Sequence, residues 1–69
     1  MVDLQSVRAA ISDAAARIAS DTPRLDAELL MAHALGVSRQ AMLLTRLGDR
    51  VPEGFAALVE RRLAHEPVA

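Results

Sequence analysis

Few side chains in this sequence could make or break a bond. Its two histidines, His33 and His65, lie on separate segments, with no acid or cysteine beside them at metal-ligand spacing. His33 is expected half-buried or exposed on a helix, and His65 near a helix end. Asp26 and Glu28 are a carboxylate pair in sequence only. Residues two apart on a helix point to different sides, so these cannot flank one substrate atom as acid and base. Helix-start charges, or a contact to a partner, are the readings open to them. Ser6, Ser12, Ser20 and Ser38 lack both a Gly-x-Ser-x-Gly setting and an associated base, and read as caps or surface residues. With no cysteine there is no thiolate nucleophile, thiolate metal site or disulfide. Gly36, Gly48 and Gly54 are isolated, so neither a Gly-x-Gly-x-x-Gly turn nor a phosphate loop is present to cradle a nucleotide. No catalytic, cofactor-binding or metal-binding residue is therefore expected.

Two patterns bear on binding. Ala32, Gly36 and Met42 have the spacing of a helix-turn-helix, and Arg39 and Gln40 would stand at the front of its recognition helix. The same helix continues as Met42-Leu43-Leu44, which would set leucine against a polar groove, and any helix–glycine–helix corner produces this spacing. A DNA-binding module is thus the alternative reading, not the preferred one. Arg61 and Arg62, with Glu66 four residues after Arg62 and then Pro67, form the second pattern. They read either as a helix-end charge cluster or as a contact to a partner or neighbouring domain.

The elements that must position these residues are all helical. Leu4, Val7, Ile11, Ala14 and Ile18 recur at three- and four-residue steps, predicting one buried face for a helix over 3–19, with Asp3 as its cap. Thr22-Pro23 reads as a helix start and Gly36 as its stop. Between them, Leu25, Leu29, Leu30, Ala32 and Leu35 make a stripe too wide for one contact, which predicts a central helix buried on more than one side. In this reading Arg24 and Glu28 pair on the surface. Leu29 is a core residue whose change to Ala costs about 2–5 kcal/mol. Ser38 caps a third helix over about 39–47, directing Met42, Leu43 and Leu47 inward. Pro52 opens a fourth, with Phe55, Leu58, Val59 and Leu63 inward and Arg61 and Arg62 at its electronegative end. Pro67 rules out its continuation and pushes Glu66 towards an extended conformation. An additional short turn near 49–53 is allowed. The fold class is all-α, a small bundle of four to five short helices, with residues 1–69 forming a single helical domain. The short links favour antiparallel neighbours.

Composition narrows the function further. A 69-residue chain buries only about 60% of its unfolded surface, so stability should be modest. All eight basic residues are Arg, and nine acids leave a net charge of −1, without the basic excess that phosphate binding usually demands. A nucleic-acid partner is not expected. Apolar runs fall short of the ~20 residues of a membrane span, and Met1-Val2-Asp3 does not start a signal peptide. No membrane association and a cytoplasmic location are expected.

Two runs carry a resemblance to a family. Thr22-Pro23-Arg24-Leu25-Asp26-Ala27-Glu28-Leu29-Leu30 with Ala32-His33-Ala34-Leu35-Gly36, and Phe55 through Ala69 with its Arg61-Arg62 and Glu66-Pro67, are similar to the N-terminal domain of release-factor glutamine methyltransferases, the PrmC/HemK family. The likeness extends over essentially the whole chain in order and spacing. It implies a helical bundle preceding a catalytic domain that uses S-adenosylmethionine to methylate the Gln of the Gly-Gly-Gln motif in class I peptide chain release factors. The Gly-rich loop and Asn-Pro-Pro-Tyr motif of that catalytic domain do not occur in this sequence, so no catalytic or cofactor residue carries over. What carries over is a role in docking the release factor and orienting the catalytic domain. Arg61, Arg62, Glu66 and Pro67 are the expected partner or interdomain contacts, from their place at the domain junction.

Overall fold

The computed structural model describes residues 6–64, which form four α-helices and, among these residues, no strand: α1, Val7–Arg17; α2, Pro23–Leu35; α3, Arg39–Thr45; and α4, Gly54–Ala64. The all-α expectation holds, and the four principal helices fall close to where periodicity put them.

Helix α1 buries Val7, Ala10, Ile11 and Ala14 on the face that the three- and four-residue spacing foretold, and Ile18 continues it past the helix end. Its expected cap, Asp3, lies outside the described residues, as does Leu4. The helix instead begins at Val7 with Ser6 as cap, whose Oγ accepts from the Ala9 N–H at 3.2 Å. The first turn of a helix leaves backbone N–H groups without partners inside it. In this bundle the loop after α3 supplies acceptors: Val7 N–H donates to the Asp49 carbonyl at 2.9 Å and Arg8 N–H to that of Leu47 at 3.1 Å. An isolated antiparallel bridge between Ser6 and Arg50 completes this seam.

Helix α2 is the hub, since α1, α3 and α4 all pack on it. It starts with Pro23 at its first position and ends at Gly36, whose φ of 75° closes a Schellman motif. There the Val37 N–H reaches the Ala32 carbonyl at 3.1 Å and the Gly36 N–H that of His33 at 3.1 Å. Burial on more than one side is confirmed, with Ala32 buried and Leu30 and Leu35 packed against the core as expected, but Leu25 and Leu29 are not part of it. Ala27, Glu28, Met31 and Ala32 are buried, while Leu25 is 38% and Leu29 50% exposed. Three helices crowd α2, and the small side chains of Ala27 and Ala32 permit close approach where leucine would not fit. The expectation that Leu29 is core is therefore corrected, and with it the cost assigned to Leu29→Ala.

Ser38 caps α3 as expected, its Oγ accepting from the Ala41 N–H at 3.1 Å. The helix ends at Thr45 rather than near 47, and only Met42 is fully buried, with Leu43 and Leu47 packed against the core. A turn at 46–48 follows, and within 49–53 there is a bend at Asp49 and a turn at Glu53, where the Phe55 N–H donates to the Pro52 carbonyl at 3.2 Å. Helix α4 starts at Gly54, two residues after Pro52, and buries Phe55 and Val59, with Leu63 partly covered. Leu58, expected inward, is only partly buried and lines a surface groove instead, because it shares the face of Arg61 and Arg62.

Met31 is fully buried, so Met31→Ala should cost about 2–5 kcal/mol, enough to threaten folding in a domain this small. Leu29→Ala should cost under about 1 kcal/mol, because half of that side chain already faces water. Thermal melts followed by circular dichroism check the pair. Equal losses would contradict the placement of α2.

Candidate functional site

The described residues include two polar clusters and two grooves. The first cluster centres on Glu28, which sequence spacing placed on the surface beside Arg24. The structure corrects this: the Glu28 side chain is only 8% exposed. Arg24 Nε donates to its Oε2 at 3.1 Å, and Arg39 Nε donates to its Oε1 at 2.7 Å. Arg24 also donates from Nη1 to Ser12 Oγ at 3.2 Å. One buried carboxylate thus links α1, α2 and the start of α3. Burial alone would push the Glu28 carboxyl up, because charge is poorly solvated there. The hydrogen bonds and positive charges of Arg24 and Arg39 outweigh it and hold the carboxyl below its ordinary range.

The second cluster centres on Asp26. Ser20 Oγ donates to its Oδ2 at 2.7 Å, Thr22 Oγ1 to Oδ1 at 3.4 Å, and Arg62 Nη2 to Oδ2 at 3.2 Å. The Ser20 hydrogen bond does most to hold the Asp26 carboxyl low, opposed by partial burial and assisted by Arg62 and Thr22. This cluster fastens the end of α4 to the start of α2. Asp26 and Glu28 therefore work in separate networks, as their two-residue spacing requires. Arg17 and Glu60 form a further pair at 3.0 Å between α1 and α4, exposed on both sides and so worth little.

Of the four residues expected at a partner or domain contact, Arg61 and Arg62 are described, whereas Glu66 and Pro67 lie outside the described residues, as does His65. Leu58, Arg61 and Arg62 share one face of α4 by their three- and four-residue spacing. With Leu30 and His33 of α2 they line an open groove of about 350 Å³. His33 is exposed, as expected. Sequence spacing did not reveal this groove, since its two walls come from helices that are distant in sequence. A smaller groove of about 190 Å³ between α1 and α4 is lined by Ala10, Ala14, Val51, Phe55 and Val59 among others, and is chiefly apolar.

No cluster of three or more potential metal-binding side chains occurs among the described residues. No helix among them is long and apolar enough to cross a membrane. Every buried side-chain nitrogen or oxygen among them has a partner. The three glycines lie apart in the fold. Gly36 closes a helix, Gly48 sits in the loop after α3 and Gly54 is the first residue of α4, so they form no common loop. The helix-turn-helix reading also loses its footing. Arg39, its leading base reader, is engaged with Glu28, and α3 is only seven residues long.

A family profile described as the PrmC N-terminal domain matches residues 5–69. The chain is 49% identical over 47 residues to a release factor glutamine methyltransferase of Corynebacterium glutamicum, covering 68% of this chain and 16% of that protein. It is 36% identical over 63 residues to the protein of that name from Haemophilus influenzae, covering 87% of this chain and 22% of that protein. The matched stretch is thus under a quarter of either relative's length. No solved structure gives a significant match.

The Glu28 clamp has a measurable signature. A carboxylate held below its ordinary value of 4.5 contributes stability that is complete above that value and is lost as pH falls through the lower folded value. Glu28→Gln should cost about 1–3 kcal/mol near neutral pH. It should also flatten the loss of stability below about pH 4.5. Urea melts across pH 3–7 check both, and an unchanged acid slope in the variant would contradict the clamp.

Proposed function

The chain belongs to the PrmC N-terminal domain family, and from that premise we propose that it is the non-catalytic, substrate-recruiting part of a peptide chain release factor glutamine methyltransferase. The observation that carries this is the family match across residues 5–69, joined to relatives named for that activity. In this reading the methyl transfer belongs to a following catalytic domain that binds S-adenosylmethionine and works in the cytoplasm. The protein substrate is a class I release factor, methylated on the Gln of its Gly-Gly-Gln motif.

The physical character of the domain supports a binding role. Arg24, Arg39 and Arg62 are spent on Glu28 and Asp26, in two separate clusters and not gathered around a reacting atom. Such a body can position a protein without acting on it. The ion pair between Arg62 and Asp26 ties the end of α4 to the start of α2, which suits a domain that must hold a partner beside a catalytic unit.

The expected outcome is that the 69-residue chain forms a weak, saturable complex with a class I release factor and transfers no methyl group when S-adenosylmethionine is added. In the longer protein, deleting these residues should raise the KM for release factor at least about tenfold while changing kcat less. Isothermal titration and methyl-transfer assays check the two halves. An unchanged KM for the truncated enzyme would overturn the recruiting role.

A further inference from the structure

We propose that the groove between α2 and α4 is the surface that holds the partner, and that its occupant is an aliphatic side chain flanked by a carboxylate on a helical or extended segment of that partner. This rests on the recruiting role above and names the site and chemistry by which it acts.

The floor of the groove is aliphatic, made by the partly buried Leu30 and Leu58. Its rim carries Arg61, Arg62 and His33. Leu29, one turn before His33 on α2 and 50% exposed, extends the apolar area beside it. The arginines differ in their commitments. Arg17, Arg24, Arg39 and Arg46 are each in an ion pair within the bundle, and Arg62 is held by Asp26. Asp26 in turn is occupied by Ser20, Thr22 and Arg62, so it does not neutralise the rest of the rim. Arg61 is exposed and, like Arg8 and Arg50, makes no ion pair among the described residues, but of these three only Arg61 lines the groove. An arginine beside an apolar trough is matched by a carboxylate next to an apolar side chain. The guanidinium is weakly hydrated and presents a planar fork that a carboxylate can meet with two hydrogen bonds.

Other occupants fit less well. The groove is open and its polar lining, His33, Arg61 and Arg62, stands at the rim, unlike an enclosed small-molecule site. A nucleic-acid backbone calls for many cations in a row, and this chain has a net charge of −1 and leucine along the groove floor. An amphipathic acidic segment laid into an apolar groove is the recognition mode that remains.

The test is a titration of the isotopically labelled 69-residue chain with an unlabelled class I release factor, read by amide chemical shifts. The expected result is a set of shifts centred on Leu30, His33, Leu58 and Arg61. Arg61→Glu, a solvent-facing change, should weaken binding about five- to tenfold while the remaining amide spectrum stays that of the folded chain. Arg8→Glu on α1, outside the groove, should leave binding unchanged. Release-factor binding with shifts confined to other faces, or binding indifferent to Arg61→Glu, overturns the groove and leaves the recruiting role standing. A folded chain that shows no binding at all removes both.

Discussion

The bundle depends on one helix being wrapped by the other three. Helices α1, α3 and α4 all pack on α2, which buries Ala27, Glu28, Met31 and Ala32 among them. Alanine at 27 and 32 lets neighbouring backbones approach, and Met31 fills the remaining space with a flexible, fully buried side chain. The same crowding draws Glu28 inside. A buried carboxylate is costly unless it is fully hydrogen-bonded and paired, and two arginines meet that demand from α2 itself and from the first residue of α3. The charge thus becomes a fastener between helices that a hydrophobic core this thin would hold weakly.

A second set of fasteners works at the ends of the helices. The loop after α3 gives its carbonyls to the first turn of α1, so a stretch without regular structure is tied down by groups that a helix start must satisfy in any case. At the other end, Asp26 gathers the α1–α2 turn and Arg62 of α4. These polar contacts leave the α2–α4 face with a partly apolar floor and an arginine rim, and the reading of that face as a docking surface follows from what the fasteners do not use.

Much of this was legible in the sequence because helix periodicity and punctuation are local. The buried face of α1, the Ser38 cap, the Gly36 stop and the inward Phe55, Val59 and Leu63 of α4 all depend on residues within a few positions of each other. The misplaced residues depended on partners far along the chain. Leu25 and Leu29 fit a helical stripe as well as Ala27 and Met31 do, and only the positions of the neighbouring helices decide which stripe is covered. Glu28 and Arg24 stood at a spacing that foretold their ion pair, but its burial needed Arg39, which the Gly36 corner brings back alongside α2. The groove was hidden for the same reason: Arg61 and Arg62 stood out as a pair, whereas Leu30 and His33 joined them only through the fold. Family resemblance supplied what local physics could not, namely the kind of protein to which such a bundle belongs.

The wrapping of α2 is most directly tested by native-state hydrogen exchange, read amide by amide. If α2 is the element on which the others close, the amides from Met31 to Leu35 should exchange only through global unfolding and be the slowest in the chain, with α3 opening earlier. Should amides in α3 or α4 outlast those of α2, the bundle would be organised around a different helix, and α2 would not be its hub.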